Sequence, residues 1–189
     1  MKHRLPLTTG LATIVFLATN MIGASAGDHV RLTDQAAAIT AFEHAMSARQ
    51  TINSVPSSGR VSDAAYLREL GSERETTLRR LFGGAQLEAE ARALRAALGL
   101  IAGGNFRPVG GSADAFSFSS VKSVSADKVQ LTEAFVAHST MYEKDGRGTW
   151  VRETPSNKLN FSATVERFSS SGPWRVTAFD SDFAPGSEP

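Results

Sequence analysis

The sequence predicts an α+β protein in which N-terminal helices pack on a bent antiparallel sheet of about four strands. Two observations predict this class. Between residues 33 and 104, apolar residues recur at steps of three and four, as they do along one face of a helix. Beyond residue 105 they alternate with polar residues, which is the period of a strand with one buried face. Helices followed by strands are typical of a two-layer domain.

The first 26 residues are typical of a secretory signal peptide. A basic start, MKHR, is followed by an apolar run of 12 residues from Leu11 to Ile22 and by the small-x-small pattern ASA at 24–26. The run is shorter than the roughly 20 residues that span a bilayer, so cleavage after Ala26 is favoured over a retained membrane anchor. We expect residues 27–189 to form one domain, structured over about 33–183, that is secreted or resides in the periplasm or cell envelope.

The composition of the remaining chain excludes several kinds of site. Without Lys2 and Arg4 of the leader, it carries 18 basic and 19 acidic residues, which argues against a nucleic-acid partner. The sequence has no cysteine, so it has no disulfide and no thiolate metal site. No two histidines stand at the spacing of metal ligands. We therefore expect neither a metal nor another cofactor.

Three helices are predicted before the sheet. The first starts at a cap on Thr33 or Asp34, whose side chains can accept a hydrogen bond from a first-turn amide, and ends near Ile52. The second starts after a cap at Ser62 and ends at glycines 83–84, because glycine tolerates the left-handed conformation at a helix C-terminus. The third is the most regular, with an apolar seam at Leu87, Ala91, Leu94, Leu98 and Ile101.

Four strands are predicted after a Gly/Pro-containing loop that starts at residue 105. The first lies around 116–121, and a long strand covers 128–142. The dipeptide Asp145-Gly146 predicts a hairpin. The return strand begins at 149–153 and alternates over 158–168, and the last strand, 174–179, has Trp174, Val176 and Ala178 on its inner face.

This order of elements, the long strand at 128–142 and the closing PWRV at 173–176 resemble the nuclear transport factor 2-like (cystatin-like cone) superfamily over residues 33–183. The resemblance implies a cone-shaped sheet covered by helices. The superfamily contains isomerases, cyclases and dehydratases, and also non-catalytic domains of secretion and conjugation machinery. No catalytic motif of the superfamily is matched in this sequence, and a shared fold says little about activity.

The resemblance implies that a catalytic base would be a carboxylate or histidine inside the cone. Charged residues at inward positions are Glu133, Arg167 and Asp180. Glu133 stands between apolar residues of its own face, and a carboxylate in such surroundings can move protons at neutral pH. Glu133 and Asp180 are therefore the candidate catalytic residues. The alternative is that a β-bulge reverses the parity or that the residue lies at a mouth open to water.

Aromatic residues are candidates for binding a small apolar ligand if they line a concave mouth. The alternative is that they belong to the core or, for the histidine and tyrosine, to the wet face of the sheet. The candidate ligand-binding residues are Phe135, His138, Tyr142, Trp150 and Trp174.

The leading functional hypothesis is a non-catalytic binding module for a protein or a small apolar ligand. One alternative is a small isomerase- or cyclase-like enzyme with a carboxylate base. Another is a membrane-anchored component of the cell envelope. A filled interior would favour the binding module and a hollow one a ligand or catalysis. Homodimerisation through the open sheet face is neither required nor excluded by its polar residues, which include Gln130, Thr132 and Ser162.

Overall fold

The computed structural model describes residues 26–52, 54, 63–113 and 116–183. The predicted leader up to residue 25 and the predicted Ser62 cap lie outside these residues. Three helices precede six strands: α1 Ala26–Ile52, α2 Ala64–Leu81, α3 Gly84–Ala102, β1 Phe106–Ala113, β2 Ser117–Ser125, β3 Lys128–Lys144, β4 Trp150–Glu153, β5 Ser156–Glu166 and β6 Arg175–Phe183. The predicted α+β class and the N-terminal position of the helices are confirmed.

The prediction of about four strands is wrong, because the described sheet has six. Strand β1 occupies part of the predicted Gly/Pro loop and accommodates its glycines with a bulge between Pro108 and Gly110. The predicted return strand is divided into β4 and β5 around Pro155, which has no amide hydrogen to donate to a ladder.

Two helix starts differ from the sequence prediction. Helix α1 begins at Ala26 rather than after a cap at Thr33 or Asp34, and the Asp34 carboxylate accepts hydrogen bonds from Arg167 instead of from a first-turn amide. Helix α2 is capped by Asp63, whose Oδ1 accepts hydrogen bonds from the amides of Ala65 at 2.8 Å and Tyr66 at 3.2 Å.

Strand β3 is the centre of the sheet. Strands β2 and β1 pair one after the other along one edge of β3, while β5 and β4 pair along its other edge. Strand β6 pairs with β5, and all of these pairings are antiparallel. The inner face of the sheet packs on α1, and its buried residues include Val129, Leu131, Ala163, Val165 and Val176.

A β-bulge in β6 reverses the predicted parity of the end of the chain. Thr164 is opposite Ala178 and Val165 is opposite Val176, so Thr177 is an extra residue in β6. Ala178 therefore does not share the inner face with Val176, as the sequence predicted, and Asp180 does not face inward. Both are exposed on the outer face of the sheet.

The free edge of β6 is covered by the junction of α2 and α3. The amide of Gly83 donates to the carbonyl oxygen of Val176 at 3.0 Å. One turn into α3, the side-chain oxygen of Gln86 accepts from the amide of Phe179, also at 3.0 Å. These contacts satisfy backbone groups that an uncovered edge strand would leave open to pairing.

Candidate functional site

Phenylalanine rings fill the space between α1 and the sheet around Phe42. Phe42 of α1 is fully buried. Its ring centroid lies 5.0 Å from that of Phe161, 5.3 Å from Phe116, 5.9 Å from Phe118 and 6.2 Å from Phe179. These distances are those of ordinary aromatic packing. A ligand could therefore occupy this part of the interior only by displacing core side chains.

Glu133 lies on the inner face, as its spacing predicts. It is opposite Phe118 of β2 and Phe161 of β5, and directly opposite residues of an antiparallel ladder point to the same side. Its burial is intermediate, whereas Val129 and Leu131 on the same face are 1% and 0% exposed. Glu133 therefore stands where the deeply buried row of β3 ends and gives way to partly exposed positions.

Asp180, the other candidate base, lines an open groove on the outer face of the sheet. The groove has a volume of about 540 Å³. Its floor is formed by the outward-facing side chains of β3, β5 and β6, and its wall is the first half of α3. The lining residues are Ala85, Gln86, Ala89, Arg92, Gln130, Leu131, Thr132, Ser162, Ala163, Thr164, Thr177, Ala178, Phe179 and Asp180.

The chemistry of the groove is polar with small apolar surfaces. Hydroxyl and amide side chains on the floor can both donate and accept hydrogen bonds. Arg92 and Asp180 supply one positive and one negative charge, and the alanine methyl groups of α3 supply a flat apolar wall. The sequence pattern places Arg92 on the wet side of α3, but it does not show that this side borders the sheet.

A buried carboxylate holds the groove wall in place. Glu90 of α3 is only 4% exposed and accepts hydrogen bonds from Nε of Arg49 at 3.1 Å and from Nε2 of Gln86 at 2.8 Å. The guanidinium carbon of Arg49 also lies 5.1 Å from the ring centroid of Phe179. These contacts join α1, α3 and β6. A sequence signal for Glu90 exists, since it is three residues after Leu87 and four before Leu94 of the apolar seam.

Arg167, the third charged residue predicted at an inward position, forms ion pairs that connect three elements. Its guanidinium donates to both carboxylate oxygens of Asp34 at 2.9 and 3.1 Å and to Asp127 at 2.6 Å. The hydrogen bond to Asp127 and the charge of Asp34 raise the pKa of Arg167. Its guanidinium carbon also lies 4.9 Å from the ring centroid of Trp174. Arg167 thus joins the end of β5 to α1 and to the β2–β3 turn, and Trp174 supports it.

The predicted ligand-binding residues whose side chains the structure describes do not meet at one mouth. The side chain of Phe135 lies outside the described residues. His138, Tyr142 and Trp150 are on the outer face at the end of the sheet formed by β1, β3 and β4. Trp174 instead contacts Arg167 beside the core. The structure therefore separates Trp174 from the other three.

Comparison with known proteins shows likeness in fold only. No protein-family profile matches the chain. No curated protein matches it either. An IcmL-like type IV secretion system protein from Legionella pneumophila is similar in structure, with 12% identity, a TM-score of 0.46, and 79% of this chain and 91% of that chain covered. The intermembrane space region of the chloroplast protein ARC6 has 15% identity, a TM-score of 0.48, and coverages of 78% and 97%. Likenesses this weak carry no argument about function.

Two features are absent from the described part of the chain. None of the helices described there is both long and apolar enough to cross a membrane. Among the same residues, no three histidine or carboxylate side chains gather where they could hold a metal ion.

Proposed function

We propose that this chain is an exported, non-catalytic binding module and that its outer-face groove binds a segment of a partner polypeptide. The observation that supports this most is the contrast between the two faces of the sheet. Around Phe42 the inner face is filled by packed phenylalanine rings, whereas the outer face carries an open polar groove whose volume lies in the range of natural binding pockets.

The lining of the groove favours a polypeptide over a small apolar ligand. Peptide groups carry one donor and one acceptor each, and the hydroxyl and amide side chains of the floor can satisfy both. The methyl groups of Ala85 and Ala89 can pack against an apolar side chain of the bound segment. Arg92 and Asp180 would select residues of opposite charge at the two sides.

The enzymatic alternative has weaker support. An isomerase- or cyclase-like reaction at Glu133 needs room for a substrate beside the carboxylate, and the neighbouring inner-face space contains the rings of Phe42, Phe118 and Phe161. Membership of the nuclear transport factor 2-like superfamily remains part of the proposal, supported by the order of helices before an antiparallel sheet with a long central strand.

Export is the second part of the proposal, and it is supported by the leader-like residues 1–26. N-terminal sequencing of the protein recovered from the producing cells tests it. A first residue of Gly27 supports cleavage and a released domain. An intact N-terminus in the membrane fraction would replace this proposal with the membrane-anchored alternative.

Binding in the groove is tested with peptides selected from a random display library on the purified protein. Replacing Ala89 by tryptophan fills the groove from its α3 wall. This variant is expected to lower the affinity for the selected peptides by about tenfold or more. The matched control is Ala96→Trp, two turns further along the same helix and outside the groove lining, which should change affinity less than about twofold. The proposal is contradicted if none of the selected peptides binds Ala89→Trp more weakly than Ala96→Trp.

A further inference from the structure

A second feature of the outer face lies at the end of the sheet formed by β1, β3 and β4. Arg107 of β1 and Arg152 of β4 are both opposite Tyr142 of β3, and Trp150 of β4 is opposite Lys144. Opposite residues of an antiparallel ladder share a face, so these five side chains form one surface, which we call the basic-aromatic patch. Arg107 and Arg152 are exposed, and the other three are partly exposed.

The patch concentrates positive charge around one indole ring. The guanidinium carbon of Arg107 lies 4.9 Å and Nζ of Lys144 lies 5.1 Å from the ring centroid of Trp150. The ring attracts each cation, but the two cations repel each other, and Arg152 adds a third positive charge nearby. An anion bound across the patch would remove this repulsion.

Among the described residues, the three strands of the patch offer it no carboxylate on its own face. In the described residues of β1, β4 and the 136–144 part of β3, every acidic residue occupies the opposite parity. Asp145, in the turn after β3, uses Oδ1 to accept the amides of Arg147 at 2.9 Å and Thr149 at 2.8 Å. Charge complementarity therefore favours an acidic partner.

The backbone of β4 indicates the shape of that partner. Within the described strands, β4 pairs with β3 alone, so its other edge has no ladder partner. This contrasts with β6, whose edge is covered by Gly83 and Gln86. An open edge offers amide and carbonyl groups to an extended peptide, which binds by adding a strand to the sheet.

Side-chain alternation along β4 specifies the peptide further. Trp150 and Arg152 face the patch, while Val151 between them faces the opposite side and is 43% exposed. A strand added beside β4 would place alternate side chains against the patch and against Val151. We infer that the β4 edge and the basic-aromatic patch together bind an extended segment of a partner protein in which acidic residues alternate with apolar ones. This site is separate from the groove.

A labelled peptide of alternating glutamate and valine tests the inference by fluorescence anisotropy with the full chain at low salt. Charge reversal at an exposed position of the patch, Arg152→Glu, is expected to raise the Kd on the order of tenfold. The matched control, Arg80→Glu, makes the same charge change at an exposed position in the last turn of α2 and should leave the Kd within about twofold. Urea midpoints of both variants establish that they remain folded.

Further probes separate strand addition from other modes of binding. The same peptide with methylated amides along one edge cannot add to a sheet and is expected to bind much more weakly. Ala89→Trp should leave binding unchanged, which distinguishes this site from the groove. The inference is overturned if Arg152→Glu has no effect, if Arg80→Glu weakens binding equally, or if the methylated peptide binds as well. It is also overturned if phosphatidylserine vesicles bind the patch more tightly than the peptide does, which would indicate a lipid surface.

Discussion

Replacing Arg49 by methionine is expected to destabilise the protein by about 2–3 kcal/mol, because it leaves the carboxylate of Glu90 buried without its cation. Glu90 is 4% exposed, and its remaining partner would be Nε2 of Gln86 at 2.8 Å. Removing one partner of a buried ion pair costs about 3–5 kcal/mol. The side chain of Arg49 is 35% exposed, so water can reach part of the vacated space, and the expected cost falls just below that range, at about 2–3 kcal/mol.

The converse replacement, Glu90→Gln, is expected to cost only about 1 kcal/mol. Arg49 would lose its partner, but its exposed part can be hydrated, and the new amide oxygen can still accept the hydrogen bond from Gln86. The double variant, Arg49→Met with Glu90→Gln, should therefore be more stable than Arg49→Met alone. The interaction free energy of this double-mutant cycle measures the coupling between Arg49 and Glu90.

Urea denaturation followed by far-UV circular dichroism measures these differences, provided that the m-value is unchanged. The control is Arg95→Met, which breaks an ion pair with Glu75 that has the same 3.1 Å separation but side chains 56% and 33% exposed. Its expected cost is at most about 1 kcal/mol. The reasoning is refuted if Arg49→Met costs no more than Arg95→Met, or if Glu90→Gln costs more than Arg49→Met.

Three other predictions follow from the core and the backbone. Phe42→Ala should lower the free energy of unfolding by about 3–5 kcal/mol, and Phe42→Leu by clearly less, in the same urea assay; equal losses would contradict the ring packing. Burial raises the pKa of Glu43, so its contribution to stability is lost as pH rises from the unfolded-state value of about 4.3 through the folded-state pKa. Glu43→Gln should therefore be more stable than the unmodified protein at neutral pH but not at pH values below that window. Urea midpoints whose difference does not change with pH would contradict this prediction. Gly111→Ala should cost about 1–3 kcal/mol, because its Cβ would lie 2.6 Å from the carbonyl oxygen of His138, whereas Gly146→Ala meets no atom within 4 Å and should be nearly neutral.

The sequence determined the parts of this protein that depend on local spacing. The change from helical to strand periodicity near residue 105 predicted the two layers, and the break at glycines 83–84 predicted the end of α2. The alternation along β3 placed Leu131 and Glu133 on the inner face. These features could be predicted because each residue's face follows from its distance along the same element.

Only the tertiary structure decided which surfaces carry a candidate site. The extra residue Thr177 turned Asp180 outward, since one inserted residue exchanges the two faces of a strand. The approach of α3 to the outer face made Arg92 part of a groove, and the contact of α1 with α3 buried Glu90 beside Arg49. No local pattern specifies these contacts, because they depend on how distant segments pair and pack once the chain has folded.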